Sequence, residues 1–182
     1  MNHSFQLMTL ATAAALLTSP QLKADESTDT PDKKVPAEIV HCHDGDTCRV
    51  VTDSGLWFNA RLAGIDAPEV GRYGKAKSDG QPMGSVSKDT LVDLVVKKKN
   101  TYVRQVDLDP YNRPVIEIYV ADECINNKLL ELGLAERYKG KTKRIEKDKY
   151  DAAEAKAKAN KVGIWGLRNY VSPQDWRREG KK

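Results

Sequence analysis

Apolar and polar positions alternate, with many β-forming residues, over 38–43, 47–51 and 57–62. A period of two sends successive side chains to opposite faces of an extended chain, so each stretch predicts a short strand. Asp44-Gly45-Asp46 separates the first two and Asp53-Ser54-Gly55 the next two; Asp-Gly is a strong hairpin signal and the second triplet a turn sequence. Two further strands are expected over 101–106 and 115–120, joined by a loop over 107–114 that carries two prolines.

Elsewhere the period lengthens. Leu91, Leu94 and Val95 stand at i, i+3 and i+4, the spacing of a helix face, with Ser85 or Ser87 as a cap. Leu129, Leu130 and Leu132 mark a second, short helix that Gly133 can end. Tyr150, Ala153 and Ala157 lie on one face of a long, lysine-rich third helix ending near Asn160, after which Gly163-Ile164-Trp165 is expected to dock on the core. The stretch 71–84, with four glycines and a proline, reads as a mobile surface loop. Three strands, a helix, two strands and two helices is an α+β order. It suits a five-stranded OB-fold β-barrel, a small Greek-key barrel, with three α-helices.

The ends differ from this body. Residues 7–17 (LMTLATAAALL) are apolar but shorter than the roughly 20 residues a membrane-spanning helix needs. Ser19-Pro20 and then Leu22-Lys23-Ala24 follow, so 1–24 reads as a secretory signal peptide, although no Lys or Arg precedes the apolar run. That implies an exported protein, periplasmic or secreted. Residues 25–36 are polar and read as a disordered leader, 37–168 as the folded domain, and 169–182 as a basic carboxyl-terminal tail. Its Arg177, Arg178, Lys181 and Lys182 read first as solvated charges and second as an electrostatic hold on polyanions.

Composition adds modest constraints. With 182 residues and 40% hydrophobic content the chain suits one domain. Its net charge of +4 favours an anionic partner without requiring one. Three cysteines in an oxidising compartment suggest one bridge and one thiol, and Cys42 and Cys48 bracket a turn across which they could pair. Beside His41 and His43 they also invite a zinc reading, but strand alternation turns Cys42 away from both histidines.

The charged residues at the strand ends carry the chemistry: Asp44-Gly45-Asp46-Thr47, then Arg61 with Asp66-Ala67-Pro68-Glu69, then Asp109-Pro110-Tyr111-Asn112-Arg113. In this order and spacing the chain resembles the thermonuclease (staphylococcal nuclease) family, whose motifs are D-G-D-T, R-L-x-x-x-D-x-P-E and D-x-Y-x-R. The likeness extends to Asn126, Gly133-Leu134-Ala135 and Gly163-Ile164-Trp165, covering roughly 37–166. It implies that Asp46, Asp66 and the Ala67 carbonyl hold a calcium ion, an all-oxygen set that disfavours zinc. It also implies that Arg61 and Arg113 clamp the phosphate and that Glu69 positions or deprotonates the attacking water. Tyr111 and Tyr138 either contact the strand or are surface residues.

The activity so implied is that of a monomeric, calcium-dependent endonuclease. It hydrolyses DNA and RNA with little sequence preference, favours single or locally melted strands, and leaves 3′-phosphate ends. The rival is a non-catalytic nucleic-acid-binding OB-fold module, against which stands the presence of Asp46, Arg61, Asp66, Glu69 and Arg113. Departures from the type member are the loop after Glu69, Pro110 in place of a lysine, and the cysteines flanking the D-G-D-T turn.

Overall fold

The computed structural model describes residues 33–71 and 79–179. The expected signal peptide, and the expected leader as far as residue 32, lie outside them. The chain forms β1 (Val35–Cys42), β2 (Thr47–Thr52), β3 (Trp57–Leu62), a short β4 (Ile65–Asp66) and α1 (Gly84–Val95). It continues as β5 (Thr101–Leu108), β6 (Pro114–Val120), a short β7 (Glu123–Cys124), α2 (Ile125–Glu131) and a short β8 (Glu136–Arg137). Then come α3 (Lys147–Ala159), a 3-10 turn over Gly163–Gly166, and α4 (Pro173–Glu179).

Antiparallel pairing joins β3 to β2, β2 to β1, β1 to β5 and β5 to β6. The sheet then closes through a parallel pairing of β3 with β6, where Arg61 faces Val115 and Leu62 faces Ile116. The result is the expected five-stranded OB-fold barrel, whose closure removes exposed strand edges. Register shifts at Ile39/His41 in β1 and Gln105/Asp107 in β5 bend these long strands around the barrel. Ile39, Val50, Leu62, Ile116 and Ile118 fill its interior, and Leu91 and Val95 of α1 and Leu129 and Leu130 of α2 join the same core. Among the described residues no helix is long and apolar enough to cross a membrane.

The structure departs from the sequence expectation in several places. β1 starts at Val35, inside the stretch read as leader, because Val35 and Pro36 pair with β5. α1 begins at Gly84 rather than at a serine cap; Ser87 lies within it and donates its hydroxyl to the Leu134 carbonyl at 2.8 Å. Of the glycine-rich stretch, 72–78 lie outside the described residues, and its end is no free loop, since Gln81 and Gly84 are buried.

Among the described residues the helices number four rather than three, and the fourth forms from the supposed solvated tail. Its start is written locally. Ser172 Oγ accepts from the Asp175 amide at 3.2 Å and donates to Asp175 Oδ2 at 2.7 Å, a reciprocal cap, with Pro173 at the first helical position.

Candidate active site

The β1–β2 connection brings Asp46 into the fold. Asp44 Oδ1 accepts from the Asp46 amide at 3.0 Å, so an aspartate side chain turns the backbone. Gly45 does not adopt the left-handed conformation that an Asp-Gly hairpin suggests. It is glycine because any Cβ there would overlap the side chains of Ser87 and Ala67. Beside this turn Cys42 and Cys48 are opposed in register, fully buried and joined by a disulfide, which cross-links the hairpin that carries Asp46. His41 and His43 point outward and meet edge to face, on the opposite side from Cys42.

The segment after β3 delivers the other acids. Asp66 lies in β4, directly opposite Glu136 of β8. Gln81 clamps the Glu69 backbone from both sides, its amide donating to the Glu69 carbonyl at 2.8 Å and its Oε1 accepting from the Glu69 amide at 3.2 Å. Gly84 rests against the Glu69 and Pro68 carbonyls, where a side chain would not fit.

Here the motifs converge. Arg61, on the face of β3 opposite Leu62, donates through Nη1 to Asp46 Oδ1 at 3.1 Å and through Nη2 to Asp66 Oδ1 at 2.9 Å. Asp46 also accepts from Thr47 Oγ1 and from the Ala67 amide, each at 3.1 Å. Asp46 is 4% exposed and Asp66 2%. Burial, followed by the like charges of Asp44 and Asp66, pushes the Asp46 carboxyl up despite Arg61 and the Ala67 amide. Although burial works against its charge, Arg61 is held above its ordinary value by Asp46 and Asp66.

The sequence reading missed two participants. Arg177 of α4 spans Asp66 and Glu69: Nη2 donates to Asp66 Oδ2 at 2.7 Å, and Nη1 to Asp66 Oδ1 at 3.1 Å and Glu69 Oε1 at 2.6 Å. The basic segment is therefore partly engaged in the site rather than solvated. Glu136 adds a further buried carboxyl, raised by burial even though Tyr170 donates to it at 2.7 Å. Its Oε1 has no hydrogen-bond partner, only Lys139 Nζ at 3.6 Å. The Ser-Pro-x-Asp helix start was the available signal for the first; for Glu136, only the pairing of β4 with β8 places it.

Arg113 stands apart from the carboxylates. Asp109 organises its loop, accepting from the Tyr111 and Arg113 amides at 2.9 and 2.8 Å and from Arg113 Nε at 2.7 Å. Burial opposes it, but these hydrogen bonds from Arg113 and Tyr111 hold the Asp109 carboxyl below its ordinary value. Arg113 stands two residues before Val115, the partner of Arg61. Between them lies a hollow of about 100 Å³ lined by Arg61, Asp109, Pro110 and Tyr138. Arg61 sits 5.6 Å from the Tyr138 ring centroid, whereas Tyr111 is 82% exposed with Arg113 5.8 Å from its ring.

Among the described residues no three His, Cys, Asp or Glu side chains form a ready-made metal cage. By chemistry, two buried carboxylates and the neighbouring Ala67 carbonyl suit a hard divalent cation bound largely by water and substrate.

Comparison with known proteins agrees with this geometry. Residues 59–166 match the family model described as staphylococcal nuclease homologue. The chain is 33% identical over 150 residues to an uncharacterized endonuclease of Haemophilus influenzae, covering 82% of this chain and 76% of that protein. It is 34% identical to the probable endonuclease lcl3 of Pyrenophora tritici-repentis, over 59% of this chain and 41% of that one. It is also 34% identical to the probable staphylococcal-like nuclease CAN3 of Oryza sativa, over 67% of this chain but 29% of that protein. The fold, the motifs and these similarities together place the chain in the staphylococcal nuclease homologue family.

Proposed function

We propose that the protein is a calcium-dependent endonuclease that hydrolyses phosphodiester bonds of DNA and RNA with little sequence preference. The observation that supports this most is the convergence of Asp46, Asp66 and Glu69 around arginines, beside a hollow shared by Arg61 and the Arg113 loop. Asp46, Asp66 and the Ala67 carbonyl would hold the cation. When bound, it supplies charge to neutralise the phosphoryl oxygens.

Arg61 and Arg113 donate planar forks of N–H groups to the phosphate, and these strengthen as negative charge accumulates in the transition state. Glu69 accepts a proton from water as the water oxygen attacks phosphorus. The bond to the 5′-oxygen breaks, its electron pair and a proton going to that oxygen, so the products carry a 3′-phosphate and a 5′-hydroxyl. Tyr138, beneath Arg61, is placed to border the bound strand; Tyr111 is exposed enough to stack on a base. The apolar run in 1–24 supports export, to the periplasm or outside the cell, where the protein would act as a monomer.

The test is digestion of end-labelled single-stranded DNA, duplex DNA and RNA with calcium, with magnesium and with chelator. Calcium-dependent cutting of all three, faster on single strands, with ends that become extendable only after phosphatase treatment, is the expected result. A protein that retains strands on a gel but never cuts them is instead a non-catalytic binding module.

A further inference from the structure

Asp66 is already well supplied with donors. Its Oδ1 accepts from Arg61 and Arg177 and its Oδ2 from Arg177, so a divalent cation that takes Asp66 competes with guanidinium groups for the same carboxylate. The two arginines are not equally able to move. Arg61 is 20% exposed, projects from β3 where that strand is paired on both sides, and is tied to both Asp46 and Asp66. Arg177 is 37% exposed and rides on a seven-residue helix. The segment leading into that helix is held by the Ser172 cap, the Tyr170–Glu136 hydrogen bond and the Gln81 side chain on the Val171 carbonyl. Among the described residues three carboxylates face two guanidinium groups, so exchanging a single charge on Asp66 for a double one is favourable.

Resting on the calcium-binding part of the function proposed above, we infer that Arg177 is a further positioning residue of this site. It is the counter-ion of Asp66 in the metal-free enzyme, yields Asp66 to the divalent cation, and keeps Glu69 in place for turnover. Its bond to Glu69 Oε1 at 2.6 Å is its shortest, and among the described residues nothing donates to Glu69 Oε2, the oxygen that would face water.

The two duties predict effects of opposite sign. In the full-length chain, titrated calorimetrically with calcium alone, Arg177→Gln binds on the order of tenfold more tightly, because a competing charge is gone. On single-stranded DNA at saturating calcium, its kcat falls on the order of tenfold with KM changed less, because Glu69 is no longer held. Arg178, one residue along, pairs with Asp175 among the described residues, and Arg178→Gln leaves calcium affinity unchanged. Should Arg177→Gln not fold, Ser172→Ala loosens α4 from its cap and tightens calcium binding about two- to fivefold.

Calcium affinity that is unchanged or weaker in whichever of these two variants folds overturns the inference. So does an undiminished kcat in Arg177→Gln. If the unaltered protein cuts DNA with calcium and only these variant effects fail, the proposed function stands and this inference alone falls. If no calcium, magnesium or manganese binds even to the unaltered protein, both fall.

Discussion

Two buried acidic centres are built on this barrel, and they differ in how their charge is met. Glu117 of β6 is 2% exposed, and every donor it receives comes from the scaffold. Arg104 reaches Oε2 through Nε at 3.0 Å and Nη2 at 2.7 Å, Tyr119 reaches the same oxygen at 2.6 Å, and Tyr150 of α3 donates to Oε1 at 2.8 Å. Burial, then Glu117, raises the Tyr119 phenol; Tyr150 rises through burial first and Cys124 and Glu117 after it. One guanidinium and two hydroxyls meet this one carboxylate, and the Cys124 thiol lies beyond them, 3.7 Å from the Tyr150 hydroxyl. Among the described residues the cluster of Asp46, Asp66 and Glu69 has more carboxylates than guanidinium groups, a neighbouring buried Glu136 whose Oε1 accepts no hydrogen bond, and a guanidinium lent by the last described helix. A buried charge that is fully met ties the fold together; a surplus of buried charge is a place where something else binds.

Substitution should separate the two centres cleanly. Glu69→Gln is expected to lower kcat by about a hundredfold or more, and Arg61→Ala by a similar factor through loss of transition-state stabilisation. Glu69 is only partly buried, so its variant should melt within about 0.5 kcal/mol of the parent. Glu117→Gln should reverse the pattern. Removing one partner of a buried pair costs about 3 kcal/mol of stability in a denaturant titration, while the molecules that remain folded cut at the parental rate. Equal activity losses in both centres would erase the distinction.

A smaller effect should follow from reducing Cys42–Cys48. The short loop it closes limits the stabilisation to about 2 kcal/mol, and calcium affinity should weaken because the cross-linked hairpin carries Asp46. The pH response acts through Asp46. Burial raises Asp46 in the folded state, so the folded protein holds more protons there than the unfolded chain does. In the metal-free protein this group's contribution to stability declines as pH rises between its ordinary value of 3.8 and about 7. Calcium, which needs the deprotonated carboxylate, should offset that decline. Thermal melts across this range with and without calcium read both directions.

The sequence and the structure agree where information is local and diverge where it is tertiary. The five barrel strands and three of the helices follow from apolar period and turn residues, and the positions of Asp46, Arg61, Asp66, Ala67 and Glu69 from two ordered motifs. Arg177 escaped because its segment was weighed by basic composition, although Ser172-Pro173-Gln174-Asp175 spells a capped helix start. Glu117 sits amid alternating apolar residues of β6, and its period places it on the face away from Ile116 and Ile118. Only the packing of α3, which lays Tyr150 over it, buries it. Glu136 needs the β4–β8 pairing, two residues long and beyond the reach of any periodicity argument.

The most direct test of the account is cleavage of single-stranded DNA against calcium concentration, comparing the parent with Glu69→Gln after confirming that both melt alike. The account predicts saturable, chelator-sensitive cleavage by the parent and a loss of about a hundredfold or more in the variant. Cleavage by Glu69→Gln at the parental rate, or cleavage by the parent that ignores calcium and chelator alike, would contradict it.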